Sequence, residues 1–266
     1  HTWLPDAHSK APTVGSVLLA GVFLKLGTYG LLRMCVDMLP ADTARIAPYL
    51  AVAGVVGIIY SGLACLGQDD LKRMIAFSSV GHMGFVVFGI ASMSEVGLAA
   101  AVFGSVAHGL ITGLLFFNAG WLKDRYGIAS LAALGRGLYA RAPYLAALFA
   151  FAAIASMGMP GLAGFWGEML SLRAAYEIGP VFDKSLAWAL LTVAALGIIL
   201  TTAYFSRAIR LLDQGEPTPH KSDRDLSPTE AVIAGVLVLA IVVLGVAPGL
   251  LMGPIEPAVS TILAAL

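Results

Sequence analysis

Charged residues are scarce in this chain, and their scarcity excludes most classes of soluble protein. Only 12% of the 266 residues are Asp, Glu, Lys or Arg, and 59% are hydrophobic, whereas roughly a quarter of the residues in an ordinary globular domain are charged. The net charge is zero, so the sequence lacks the basic balance typical of nucleic-acid-binding proteins. This composition predicts an integral membrane protein.

Sequence motifs for metal, nucleotide and hydrolytic sites are also missing. Cys35 and Cys65 belong to no C-x-x-C pair, so neither a disulfide framework nor a metal centre is predicted. His1, Asp6 and His8 do not have the spacing of zinc ligands. The sequence has no Walker A loop, no G-x-G-x-x-G and no G-x-S-x-G. We therefore expect no cofactor on this chain.

Long apolar runs are the dominant positive feature. About 20 helical residues cross a hydrocarbon core of ~30 Å, and continuous apolar runs favour helices over a β-barrel, in which apolar and polar residues alternate. We therefore predict an all-α integral membrane fold of about seven transmembrane helices, one of them interrupted. The predicted spans are 12–34, 47–66, 74–93, 96–120, 143–178, 185–207 and 229–248.

The basic residues predict an orientation. Most Lys and Arg residues lie at one set of ends and loops, and the positive-inside rule places these in the cytoplasm. They are Lys10, Lys72, Arg73, Lys123, Arg125, Arg136, Arg141, Arg207, Arg210, Lys221 and Arg224, against Arg33, Arg45 and Lys184 on the other side. The N-terminus is then cytoplasmic and the C-terminus lies outside. Asp69, Asp70, Lys72 and Arg73 are interpreted as a solvated turn.

Three segments outside the spans also carry predictions. The chain begins at His1 without an initiator Met or a signal peptide, so we expect the later part of a longer protein. Residues 211–228, rich in charge and proline, are predicted to be a cytoplasmic loop. After the last span, apolar residues recur at helical spacing, which predicts an amphipathic helix that lies on the outer surface or against a partner subunit. Its apolar residues are Ile255, Val259, Ile262, Leu263 and Leu266.

Three basic or titratable residues lie well inside predicted spans. Lys25 is roughly 15 Å from either end of its helix, and a charge at that depth costs at least ~2.5 kcal/mol, so such residues usually line an ion or proton path. His82 and His108 titrate near neutral pH and can pass a proton between their ring nitrogens. The alternatives remain open that Lys25 belongs to a fixed ion pair and that each histidine is a hydrogen-bonded core residue.

Glu168 follows a predicted break in the fifth span. Residues that disfavour a continuous helix precede it, namely Gly158, Pro160, Gly161 and Gly164. Broken helices at membrane depth occur where the backbone is buried in protein or lines an aqueous cavity, and transporters build ion sites there. Alternatively, Glu168 only complements a helix dipole. Together with Lys25, His82 and His108, it places an ionisable group on each of four spans, which suits a buried proton path.

Three segments resemble the antiporter-like subunits of respiratory complex I. They are His1–Gly21, Asp70–Gly84 and Gly158–Glu168. This family, which includes large subunits of multi-subunit sodium/proton antiporters and of membrane-bound hydrogenases, typically has fourteen spans with two inverted five-helix repeats. The resemblance implies that the chain is a single transmembrane domain forming the second half of such a subunit. The span 12–34 then closes the first repeat, 47–207 forms the second, and 229–266 holds the final span and tail.

The resemblance also implies a function. Lys25, His82, His108 and Glu168 would carry protons in a bacterial plasma-membrane NADH:quinone oxidoreductase, a translocase whose FMN, iron–sulfur clusters and quinone belong to other subunits. Related antiporter-like subunits would flank this one on either side. Relatives have a further lysine before the position of His1 and a glutamate two spans earlier, so a complete path needs the rest of the subunit. Alternatives are a sodium/proton antiporter or hydrogenase subunit, and a scaffold that does not pump.

Overall fold

The computed structural model describes residues 1–127, 130–134, 136–176, 183–215 and 225–264. Within these residues the regular structure is helical, and the only strand-like feature is one isolated antiparallel bridge between Asp70 and Ser130. The helices are α1 (Leu4–Lys10), α2 (Thr13–Leu18), α3 (Leu24–Gly30), α4 (Pro40–Leu66), α5 (Leu71–Ala91), α6 (Glu95–Tyr126), α7 (Leu131–Leu134), α8 (Leu138–Arg141), α9 (Pro143–Ser156), α10 (Ala163–Ala174), α11 (Lys184–Asp213), α12 (Pro228–Val246) and α13 (Gly249–Leu263).

The predicted all-α membrane fold is confirmed. Six helical segments of the described residues are long and apolar enough to cross a bilayer: Thr13–Asp37, α4, α5, α6, α11 and α12. The interrupted run 143–178 corresponds to two shorter helices, α9 and α10. Helix α4 begins at Pro40, earlier than predicted, because proline is tolerated in the first turn of a helix.

Helices α5 and α6 form the centre of the packed helices. In their most apolar stretches 78% and 72% of the residues are buried, compared with 17% in Thr13–Asp37 and in α12. Both helices begin with a side-chain cap, in which Asp70 accepts from the amide of Arg73 and Ser94 accepts from that of Gly97. Because His82 lies on α5 and His108 on α6, both imidazoles belong to the interior.

The first span is not a uniform α-helix. Two π-helical stretches, Leu19–Phe23 and Leu31–Asp37, flank α3, and π-helical turns are frequent at functional sites. Gly109 of α6 approaches the π-helical stretch closely, since a Cβ on Gly109 would stand 2.9 Å from the carbonyl oxygen of Gly21. This close approach brings the helix that carries Lys25 against the helix that carries His108.

The predicted solvated turn at residues 69–73 is partly wrong. Lys72 is only 2% exposed, because it belongs to α5 and lies among charged neighbours that include Lys123 and Asp124 of α6. The carboxylate of Asp69 accepts hydrogen bonds from Ser130 and from the amide of Ala132. The segment from Ser130 therefore binds to this turn at its exposed side.

The predicted helix after the last span is present as α13. Ile255 and Val259 are buried, and Ile262 and Leu263 pack against the same core. Helix α13 contacts α6, so its apolar face meets protein of the same chain. Leu266 and residues 216–224 of the predicted loop lie outside the described residues, and the placement of α13 at the outer surface stays a prediction.

Candidate functional site

The helix break between α9 and α10 forms one wall of the site. Gly158 and Gly161 have φ of 74° and 91°, a left-handed conformation that residues with a Cβ rarely adopt, and Pro160 stands between them. A Cβ on Gly158 would lie 3.1 Å from Oε2 of Glu168. The carboxylate, which is 8% exposed as a residue, therefore lies directly against the unwound backbone.

His82 links the carboxylate to the end of α9. Its Nδ1 lies 2.7 Å from Oε1 of Glu168, and its Nε2 lies 2.8 Å from Oγ of Ser156. The side chains of His82 and Glu168 are both 10% exposed. An imidazole that bridges a carboxylate and a hydroxyl can take up a proton at one nitrogen and give one up at the other.

Lys25 and His108 form the second half of the site. Nζ of Lys25 lies 2.6 Å from Nδ1 of His108 and also donates to the carbonyl oxygen of Ala20, in the first π-helical stretch. An ammonium has only donors, so a protonated Lys25 requires Nδ1 of His108 to accept and Nε2 to carry the ring proton. Nε2 of His108 is buried without a hydrogen-bond partner among the described residues.

A small cavity lies between the two halves. The ring centroids of His82 and His108 are 5.5 Å apart, and no hydrogen bond joins the two rings among the described residues. A cavity of about 30 Å³ contacts both rings and is also lined by Thr112, Ser156 and Glu168. A buried water molecule needs roughly 10–15 Å³ of cavity volume and two to four polar partners. The cavity therefore has room for about two waters that could join His108 to His82.

The structure brings all four predicted site residues together in the order Lys25, His108, His82 and Glu168. Ser156 and Thr112 are further site residues that were not predicted from the sequence. Ser156 could have been noticed as the last residue of α9 before the break, where a side chain meets the unwound backbone. Thr112 follows His108 by one helical turn and so lies on the same face of α6.

No group of three or more His, Cys, Asp or Glu residues that could hold a metal ion is present among the described residues. Cys35 and Cys65 are both free. His8 is buried on α1, where its ring stacks on Phe116 at 4.4 Å. The described geometry thus offers groups that exchange protons and lacks a metal-ligand cluster.

All four residues lie in a part of the chain that matches a known protein family. A model of the family "NADH:quinone oxidoreductase/Mrp antiporter, TM" matches residues 1–196. NADH-quinone oxidoreductase subunit M of Rickettsia prowazekii is 39% identical over 265 residues, covering 99% of this chain and 52% of that protein. NAD(P)H-quinone oxidoreductase chain 4 of Synechococcus is 43% identical over 257 residues, covering 94% of this chain and 48% of that protein.

Solved structures show the same fold. A chain of respiratory complex I from Thermus thermophilus superposes with a TM-score of 0.87 at 30% identity, over 99% of this chain and 55% of that one. A chain of the Mrp complex from Dietzia has a TM-score of 0.87 at 22% identity, over 99% of this chain and 56% of that one. This likeness concerns the fold alone. The chain spans about half the length of the curated relatives that it matches. It belongs to the NADH:quinone oxidoreductase/Mrp antiporter transmembrane family.

Proposed function

We propose that this chain is the second half of a proton-translocating antiporter-like subunit of a bacterial NADH:quinone oxidoreductase, of the subunit M or chain 4 type. The observation that carries the proposal is the connected series from Lys25 through His108, the cavity and His82 to Glu168. The names of the two relatives described above support the subunit type. So does Glu168, because the resemblance assigns Glu to subunit M and Lys to most other family members at this position.

Proton transfer along the series follows from the hydrogen bonds. Lys25 gives a proton to Nδ1 of His108, and His108 releases its Nε2 proton into the cavity. Water in the cavity then gives a proton to the hydroxyl of Ser156, which passes its own proton to Nε2 of His82, while Nδ1 of His82 hands its proton to Glu168. Each imidazole must afterwards return to its starting tautomer, so the series moves one proton at a time.

Moving a proton against the membrane potential requires only a modest free energy. Moving one charge against 100 mV costs about 2.3 kcal/mol, which corresponds to a roughly 50-fold change in proton affinity. A change in the charge near Lys25 can supply such a shift, since lysine affinity for protons responds strongly to burial and to neighbouring charges. In our proposal electron transfer in other subunits drives that change, with FMN, iron–sulfur clusters and quinone bound there. We also propose a cytoplasmic N-terminus and related antiporter-like neighbours.

Sodium transport is the second candidate, and the geometry favours protons over it. Hard cations such as sodium prefer several oxygen ligands, but Glu168 is the only carboxylate among the described residues that line the cavity, and both histidines and Lys25 present nitrogen. The Mrp likeness concerns the fold alone. Co-purification of flavin and iron–sulfur subunits would support the complex I assignment, and their absence would support an antiporter.

The test uses the full-length subunit in its membrane complex. Lys25→Ala and Glu168→Ala should each lower coupled proton pumping by about tenfold or more, the order of effect seen when a proton-transfer group is removed, while electron transfer to artificial acceptors continues. Lys10→Ala and Glu256→Ala remove the same charges at exposed positions and serve as matched controls. Normal pumping in both site variants, with the complex fully assembled, would overturn the proposal and leave the buried charges a structural role.

A further inference from the structure

Two hydroxyl groups join the first span to α6 beside the contact between Lys25 and His108. Oγ1 of Thr28 lies 3.3 Å from Oγ of Ser105. Thr28 follows Lys25 by three residues on α3, and Ser105 precedes His108 by three residues on α6. Each hydroxyl therefore lies about one helical turn from its titratable neighbour and on the same helix face.

A close backbone contact lies on the other side of Lys25 and His108. A Cβ on Gly109 would stand 2.9 Å from the carbonyl oxygen of Gly21 and 3.7 Å from Cε of Lys25. Residue numbers rise along the first span while those of their contacts on α6 fall, so the two helices run antiparallel. Lys25 and His108 thus lie between a backbone contact on one side and the hydroxyl pair on the other.

The direction of the hydrogen bond between the hydroxyls follows from their other partner. Oγ1 of Thr28 donates to the carbonyl oxygen of Lys25 at 3.0 Å. A hydroxyl has a single hydrogen, which this bond uses, but it can still accept. The contact with α6 therefore requires Ser105 to donate to Oγ1 of Thr28. Ser105 is linked in this way, through Thr28, to the backbone of Lys25.

Helix α3 has little other attachment to the packed helices. Thr28 is the one buried residue among the seven of α3, all of which the structure describes. Leu26 and Tyr29 of the same helix are 58% and 61% exposed, and a π-helical stretch lies at each end. Burial of an apolar side chain is not directional, whereas a hydrogen bond sets a distance and an angle. The hydroxyl pair is therefore suited to fixing the position of α3 on α6.

We propose that Thr28 and Ser105 are positioning residues that keep Nζ of Lys25 within hydrogen-bond distance of Nδ1 of His108. Proton transfer between two side chains requires them to be within hydrogen-bond reach of each other. In this role neither hydroxyl carries the proton, and both act through the placement of Lys25. The proposal rests on the proposed function, because it concerns the first transfer in the proton series.

The experiment measures coupled proton pumping by the full-length subunit in its membrane complex, in light and in heavy water. A hydrogen bond of this kind is worth about fivefold in an equilibrium, so Ser105→Ala and Thr28→Val should each lower pumping about fivefold. Both should also raise the solvent isotope effect on pumping, because transfer from Lys25 becomes the slow step. Ser105→Thr and Thr28→Ser keep a hydroxyl and should retain most of the wild-type rate and isotope effect.

A matched control separates positioning from a general loss of stability. Thr43→Val removes a buried hydroxyl that donates to a backbone carbonyl at the beginning of α4, and it should leave pumping and its isotope effect unchanged. Wild-type pumping in Ser105→Ala and Thr28→Val would overturn the proposal, as would a lower yield of assembled complex with an unchanged isotope effect. If Lys25→Ala loses pumping in either case, only the positioning role fails, whereas normal pumping in Lys25→Ala counts against the proposed function itself.

Discussion

The two histidines of the site differ in their partners, and that difference locates the weakest link in the series. Both ring nitrogens of His82 have close partners, Glu168 and Ser156. His108 contacts Lys25 through Nδ1, but its buried Nε2 has no partner among the described residues. Transfer between the histidines must therefore cross the small cavity, and the residues that shape this cavity should control transfer without titrating themselves.

Ala107→Val tests this dependence on the cavity. Ala107 lines the cavity and is 1% exposed, so two added methyl groups should displace water while leaving all four titratable residues in place. We expect coupled proton pumping to fall by about tenfold, because a proton transfer contributes at least that much to a rate. The measurement is proton uptake in vesicles containing the assembled complex.

Ala101→Val is the matched control for this substitution. Ala101 is 0% exposed on the same helix but does not line the cavity, so it bears a similar overpacking cost of about 1–3 kcal/mol. Equal pumping losses in the two variants would show that packing strain, and not loss of the water-filled gap, is responsible.

At the scale of elements, α12 holds the break between α9 and α10 in place. Nε1 of Trp166 donates to the carbonyl oxygen of Gly245 at 2.8 Å. Gly245 also packs so closely on the break that a Cβ would overlap the carbonyl of Gly161 and Cα of Leu162. Because Glu168 follows Trp166 on α10, the contact with α12 helps to set the position of the carboxylate.

Gly245→Ala should destabilise the fold by about 1–3 kcal/mol, the usual cost of overpacking. A lower thermal unfolding midpoint of the purified complex would report it. Gly235→Ala is the control on the same helix, since a Cβ on Gly235 meets nothing within 4 Å, and alanine there should be neutral or stabilising by up to about 1 kcal/mol. Similar midpoints for the two variants would contradict a tight contact between α12 and the break.

At the scale of the whole molecule, a polar cluster joins helices that are far apart in sequence. Both guanidinium NH groups of Arg125 contact the carboxylate of Glu230, and Arg125 also donates to the carbonyl oxygen of Asp225. The carboxylate of Asp225 accepts from the amides of Tyr144 and Leu145 and so caps α9. The ends of α6, α9 and α12 are thereby tied together.

A double-mutant cycle with Arg125→Gln and Glu230→Gln should show a coupling of about 1–3 kcal/mol, because the pair is bidentate and mostly buried. The side chains are only 12% and 18% exposed. The same cycle on Arg45 and Asp42, which are 81% and 70% exposed, should give less than about 1 kcal/mol. Thermal unfolding of the four variants of each pair supplies the measurement, and equal couplings would refute the expected difference.

The spans, the helix break and the candidate titratable residues could all be predicted from the sequence. Bilayer thickness fixes the length of an apolar run that can cross it, and the effect of Gly158, Pro160 and Gly161 on a helix is local. An ionisable group such as Lys25 within an apolar run is likewise visible without a structure. These properties depend on neighbours in the chain and on the solvent.

Only the tertiary structure decided which of these groups meet. Lys25 and His108 are 83 positions apart, and His82 and Glu168 are 86 apart, while continuously apolar helices carry no periodic pattern that reveals which face is buried. The burial of Lys72 and the close approach of the first π-helical stretch to α6 likewise depend on how the helices pack. Contacts of this kind arise when whole helices pack, and the composition of any single segment does not contain them.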